Sequence, residues 1–282
     1  TMRAAIYNAP FDISVATVPD PSIQEATDAI VRVTATCVCG SDLWYYRGES
    51  EKEHGSAIGH EFIGVVEEVG NEVTTVRVGD FVIAPFMWSD GTCPHCLKGV
   101  SSSCVHGGFW SQPGANGGQG EFVRVPEANG TLVVVPGGLP DADLIPSLLT
   151  LSDVMGTGHH AAVSAGVTPG STVAVVGDGA VGLCGIIAAK RLGAERIIAL
   201  SRNPARQALA TTFGATDIVA ERGDEASAVV RDLTNGIGVD ATLECVGTGQ
   251  SFSTAFSIAR PGSRIGFVGV PHDVQVPIGT AF

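Results

Sequence analysis

Positive charge is what this chain has least of: 16 Lys and Arg stand against 29 Asp and Glu, a formal net charge of -13. Nucleic acid and anionic membrane surfaces are held by clustered Lys and Arg, so neither is an expected partner. A long apolar run is missing as well. The most hydrophobic stretch, residues 172–193, is broken by Asp178, by glycines and by Lys190 and Arg191, and does not read as a membrane span. The chain opens as a strand, Met2-Arg3-Ala4-Ala5-Ile6-Tyr7, without a charged and then apolar leader, so a cytoplasmic location is expected. Internal repeats and low-complexity segments are absent. Paired cysteines in the disulfide sense are not indicated either. The seven cysteines are odd in number, and Cys37, Cys39, Cys93 and Cys96 sit in close pairs, which fits metal ligation in a reducing compartment.

What is present is globular. With 282 residues, 44% hydrophobic and 16% charged, there is apolar material for two cores. The 37 glycines follow no period and mark tight turns. Up to about residue 143 the chain reads as short β segments, best at 3–7, 29–36, 61–69, 80–84 and 120–125, with little helical periodicity. Leu144, Leu148, Leu149, Leu151, Val154 and Met155 then form a helix-like apolar pattern that runs on to residue 164. After Pro169 and Gly170 strands and helices alternate, which predicts parallel pairing and a doubly wound sheet. The expected fold class is therefore α/β, with domains at 1–152 and 153–282.

Two motifs carry chemistry on their own spacing. Asp90, Cys93, Cys96 and Cys104 form a D-x2-C-x2-C-x7-C ladder, whose short gaps let four side chains converge on one tetrahedral Zn²⁺. Such a site is closed and holds structure. Downstream, Gly177-Asp178-Gly179-Ala180-Val181-Gly182 places G-x-G-x-x-G after a strand and at a helix start. Gly177 suits the tight turn, Gly179 lets a pyrophosphate approach the backbone, and Gly182 lets helix and strand pack closely. The first helical amides, at Ala180 and Val181, complete the anion site. An acidic residue at the end of the next strand would hold the adenosine ribose 2′-hydroxyl, but residues 197–216 contain no carboxylate. Ser201, Arg202 and Arg206 stand there and offer hydrogen bonds and charge to a 2′-phosphate, which favours NADP over NAD. The strand ends near Cys245 and Val270 read equally as the wall facing a nicotinamide and as ordinary turns after core strands.

A second set of ligand types is scattered: Cys39 in Cys39-Gly40-Ser41-Asp42, His60 in Gly59-His60-Glu61, and Asp153 far downstream. Spacing does not assemble these three. Together with the ladder and the fingerprint, however, they occur in the order seen in zinc-dependent medium-chain alcohol dehydrogenases, which this chain resembles over essentially its whole length. The resemblance implies an N-terminal GroES-like β-barrel catalytic domain followed by a Rossmann domain. It implies Cys39, His60 and Asp153 as ligands of a catalytic zinc, Glu61 as a carboxylate that approaches the metal, and Ser41 as the hydroxyl through which the substrate proton leaves. The implied partners are a small alcohol or carbonyl substrate and a second copy of the chain, in a dimer or tetramer.

Three departures from the family pattern stand out. Asp90 replaces the first of four cysteines, Trp44 replaces a histidine that often follows the relay hydroxyl, and the family's C-terminal return segment is absent from this chain. Alternative activities are a polyol or amino-alcohol dehydrogenase, or a non-catalytic NADPH-binding relative. Phe86, Trp88, Phe109 and Trp110 read equally as the lining of an apolar substrate pocket and as core.

Overall fold

The computed structural model describes residues 1–110, 112, 115–271 and 274–281. The chain divides into two compact units, Thr1–Asp153 and Val154–Phe282. Asp153 thus closes the first unit.

Among the described residues the first unit has ten strands: β1 Met2–Ala9, β2 Asp12–Val18, β3 Ala29–Thr36, β4 Ser56–Ala57, β5 Phe62–Val69, β6 Phe81–Ala84, β7 Met87–Trp88, β8 Gly108–Phe109, β9 Phe122–Val125 and β10 Val133–Val134. Its main sheet is antiparallel in the order β10-β6-β5-β3-β9, and β2-β1-β4 forms a smaller one, bridged to the β9 approach at Ala4 and Gly120. Alternation sets the inner face, as expected for half-buried antiparallel strands. Ala29, Val31, Phe62, Val66, Val82, Ala84, Val123 and Val125 form the core together with Trp88 and Trp110. Trp110 stacks edge-on to Phe62 with centroids 5.1 Å apart, and its indole N–H donates to Pro85 O at 2.6 Å, so no polar atom of the ring is stranded. Trp88 and Trp110 are therefore core, whereas Phe109 is partly exposed. Five strands were not foreseen: β2, because both its faces are largely in solvent and the usual alternation is weak, and β4, β7, β8 and β10, because each is only two residues long.

Short helices complete this unit: α1 Asp42–Tyr46, α2 Ala128–Thr131 and α3 Ile145–Leu149. The long helix-like pattern starting at Leu144 is in fact interrupted. A 3-10 turn at Thr150–Ser152 ends at Asp153, whose φ of -150° and ψ of -72° lie outside the helical region, and α4 (Val154–Ser164) begins afterwards. Apolar spacing runs through the break because α3 rests Ile145, Leu148 and Leu149, half-buried, against the core, while α4 buries Val154 and Ala161.

The second unit is a parallel sheet in the order β13-β12-β11-β14-β15, from β11 Thr172–Val176, β12 Arg196–Leu200, β13 Asp217–Val219, β14 Val239–Glu244 and β15 Ala259–Phe267. Its helices are α4, α5 Ala180–Arg191, α6 Pro204–Phe213, α7 Gly223–Leu233, α8 Gly249–Ile258 and α9 Ile278–Ala281. Val173, Val175, Ile197 and Ala199 face one helical layer, and Ala174, Val176 and Ile198 face the other. A strand buried on both sides needs apolar residues at every position, which explains the unbroken run Val173-Ala174-Val175-Val176. The strand order reverses direction between β11 and β14, and ligands of such sheets bind at that switch point, beyond the carboxyl ends. No helix among the described residues is long and apolar enough to cross a membrane.

One buried ion pair secures the first unit. Asp28 is fully buried and accepts from Gln24 N at 2.9 Å, Glu25 N at 2.8 Å and the Arg124 guanidinium, itself only 16% exposed. Replacing Arg124 by Met leaves that carboxylate without its counter-charge. Equilibrium urea unfolding is expected to show a loss of about 3 kcal/mol, and a loss below about 1 kcal/mol would mean water already screens the pair.

Candidate active site

Three distant segments bring their donors together at one end of the first unit. Cys39 follows β3, His60 and Glu61 precede β5, and Asp153 follows the 3-10 turn. One ligand atom from each of Cys39, His60, Glu61 and Asp153 can be chosen so that all lie within 4.8 Å of one another. Asp153 Oδ2 stands 3.5 Å from His60 Nε2 and 3.8 Å from Cys39 Sγ. Ser41 Oγ lies 3.4 Å from the same imidazole nitrogen. Sequence reasoning placed all five residues at one centre, and the fold brings them there.

The centre is strongly electronegative. His60 and Glu61 are 3% and 1% exposed. Burial by itself lowers the His60 pKa, but hydrogen bonds to Asp153 and Asp42 outweigh it and push the imidazole up to about 12. Burial raises Glu61 above the usual carboxylate range. Its Oε2 accepts from the Cys37 thiol at 3.2 Å, while Oε1 has no hydrogen-bond partner. A buried oxygen left without a donor beside a thiol, an imidazole and a second carboxylate fits a cation, and sulfur, nitrogen and oxygen in this mixture suit Zn²⁺.

One neighbour, Asp42, escaped the sequence reading, and another, Cys37, was read there only as half of a close cysteine pair. Asp42 Oδ1 lies 3.3 Å from His60 Nδ1, so this carboxylate holds the far side of the ring and turns Nε2 towards the centre. Its only signal was the position three residues after Cys39. Cys37 is pushed up to about 12, first by burial and then by its bond to Glu61, to which its thiol donates. Phe109 packs against His60 with ring centroids 5.3 Å apart, and Phe86 against Phe109 at 6.0 Å, giving the centre an apolar flank.

The ladder also converges. Asp90, Cys93, Cys96 and Cys104 present ligand atoms within 4.8 Å of one another, and Cys93 Sγ is 3.9 Å from Cys104 Sγ. Asp90 Oδ1 accepts from Thr92 N at 2.7 Å and Cys93 N at 2.9 Å, and Oδ2 pairs with His106 Nδ1 at 2.6 Å. The backbone amide of Cys93 foremost, then Thr92 and His106, hold this carboxyl well below the usual range. Backbone amides of Cys96 and Val105 bring the Cys93 thiol down to about 7, while burial and the neighbouring Cys93 and Cys104 sulfurs push Cys96 up to about 12. The donors again fit a closed zinc site.

In the second unit, Gly177 has φ +117° and makes the turn after β11. A Cβ on Gly182 would lie 2.1 Å from Gly177 O, so this helix position must remain bare for α5 to start so close to the strand. Gly179 caps α5, with Ala180 and Val181 in its first turn. Ser201 follows β12 and is buried, Arg202 and Arg206 are exposed, and Val270 lies exposed beyond β15. Ser201 Oγ and Arg206 Nη1 both donate to Asp178, at 2.8 and 3.0 Å. Asp178 was not foreseen as part of this group.

Comparison with known proteins agrees with this architecture. Residues 25–137 match the alcohol dehydrogenase GroES-like domain, and residues 180–281 match the zinc-binding dehydrogenase domain. The chain is 38% identical to the medium chain reductase/dehydrogenase ucsI of an Acremonium species, over 97% of this chain and 95% of that protein. It is 36% identical to zinc-type alcohol dehydrogenase B of Aspergillus flavus, over 98% of this chain and 65% of the relative. Among solved structures, alcohol dehydrogenase TADH from Thermus sp. ATN1 superposes with a TM-score of 0.89 at 36% identity, covering 98% of this chain and 80% of that one. The chain belongs to the zinc-binding, medium-chain alcohol dehydrogenase family of oxidoreductases.

Proposed function

We propose that this protein moves a hydride between an alcohol, or the corresponding aldehyde or ketone, and a nicotinamide cofactor, at a centre formed by Cys39, His60 and Asp153. The observation that carries the reading is the convergence of a thiol, an imidazole and carboxylates from three distant segments within 4.8 Å. A zinc ion held there supplies Lewis-acid polarisation of a substrate oxygen. Glu61, with one oxygen unpartnered, is the carboxylate able to approach the ion.

The chain's own residues do the rest. Asp42 fixes the His60 ring so that Nε2 faces the ligand set. Ser41, 3.4 Å from that nitrogen, hydrogen-bonds the substrate hydroxyl and takes its proton outward. Phe109 and Phe86 exclude water on one side, which favours an apolar substrate. In the second unit, the turn at Gly177, Gly179 and Gly182 and the amides of Ala180 and Val181 hold the cofactor pyrophosphate. Val270, whose backbone would meet a Cβ placed on Gly247, contributes to the wall beyond β14 and β15. NADP is the finer cofactor reading, supported by Ser201, Arg202 and Arg206 around the adenosine end and by the lack of a carboxylate on that loop. Asp90, Cys93, Cys96 and Cys104 would hold a second, structural zinc.

Cys39→Ser and Asp153→Ala are each expected to abolish alcohol oxidation while far-UV circular dichroism stays unchanged; retained turnover in either variant removes the metal mechanism. Ser41→Ala is expected to lower kcat by about 10²–10⁴-fold, the usual contribution of a positioned proton-transfer group. Elemental analysis of the purified protein should find about two zinc ions per chain, and Cys104→Ala should lose about one of them along with thermal stability. A value near one in the unaltered protein would show that Asp90 is a poor substitute for the fourth thiolate.

A further inference from the structure

The β12 loop carries no carboxylate, yet a carboxylate stands among its side chains. Asp178, the residue between the first two glycines of the turn, reaches across from β11 to the end of β12. Its Oδ2 accepts from Ser201 Oγ at 2.8 Å and its Oδ1 from Arg206 Nη1 at 3.0 Å. These are two of the three groups that would meet a 2′-phosphate. Ser201 is held in addition: its amide donates to Val219 O at 2.9 Å, and its carbonyl accepts from Gln207 Nε2 at 2.7 Å. Only Arg202, exposed, is shown without a partner among the described residues.

We infer that Asp178 sets the balance between NAD and NADP, holding down the NADP preference that Ser201, Arg202 and Arg206 favour, from the glycine turn instead of from the loop where such a carboxylate usually sits. The inference rests on the nucleotide site proposed above, in which the adenosine ribose lies between the turn and the end of β12. A ribose 2′-hydroxyl can donate to the carboxylate without disturbing it. A 2′-phosphate cannot: it brings like charge within a few ångströms and must also draw Ser201 and Arg206 away from their present acceptor. The pair itself is easily rearranged, since Arg206 is 52% exposed and an ion pair that open adds little to folding. Although burial works against it, the bonds from Ser201 and Arg206 keep Asp178 below the usual carboxylate range, so the charge is present at neutral pH.

The test compares kcat/KM for NADP and for NAD with one alcohol substrate in the unaltered enzyme, in Asp178→Asn and in Asp178→Ala. The NADP-to-NAD ratio is expected to rise by about tenfold or more in both variants, the effect of removing one nearby like charge. Because each ratio is taken within a single preparation, loss of folded protein cancels, and either variant alone decides if the other fails to fold. Arg206→Ala combined with Asp178→Asn is expected to lose most of that gain, since the released guanidinium is what receives the phosphate. A ratio unchanged within about twofold, or a fall, overturns the inference; a fall would show that Asp178 presents Arg206 to the phosphate. Titration of NADH and NADPH fluorescence separates this from the wider reading. Binding of neither by the unaltered protein defeats the nucleotide site and the inference together, whereas binding with an unmoved ratio defeats the inference alone.

Discussion

Acids and thiols buried together at one point, where a cation would neutralise them, are the constraint on which the first unit depends. Glu61, Asp42 and Asp153 surround His60, and the sulfurs of Cys37 and Cys39 lie against the same carboxylates. Desolvated acids and thiols at this density are unfavourable unless protons or a cation compensate. His60 held up to about 12 and Glu61 with an oxygen facing no donor are two expressions of that one surplus. A divalent ion answers both at once. The charges stay together because β3 and β5, which lead to and from them, belong to a core of Val, Phe and Trp side chains that does not yield to separate them.

The ladder meets the same demand in a different way. Asp90, Cys93, Cys96 and Cys104 lie within one loop and need only local turns to converge. Backbone amides of Thr92 and Cys93 already compensate Asp90, and His106 compensates it again. An aspartate in place of a thiolate is thus tolerated in a loop that offers it three donors. One centre is assembled by short-range geometry and the other by the whole fold, which is why the first speaks of structure and the second of chemistry.

The parallel sheet of the second unit converts strand direction into a binding edge. Every strand ends on the same side, so the turn after β11 and the loop after β12 are neighbours although more than twenty residues separate them. Gly182 must be bare for α5 to begin against the turn carbonyl, and this closeness brings the first helical amides to the edge. Asp178 shares the edge for the same reason: a side chain on one turn can partner side chains on the next.

Much of this was legible in the residues, for reasons of range. Short runs rich in Val, Ile and Phe identified β1, β3, β5, β6 and β9, the strand–helix rhythm after Gly170 identified the parallel sheet, and the ladder and the glycine turn are complete within a few residues. Apolar spacing could not register the break at Asp153, because a backbone kink leaves the order of apolar residues on either side unchanged. Nor could spacing reveal Asp42 behind His60, Cys37 on Glu61, or Asp178 between Ser201 and Arg206. Each of these depends on where a side chain points once remote elements are packed. By itself the sequence determined the elements, the ladder, the fingerprint and, through resemblance, the candidate ligands. The tertiary structure alone decided which donors share a point and which charges already have partners, since hydrogen bonds and ion pairs act over a few ångströms in space whatever their separation along the chain.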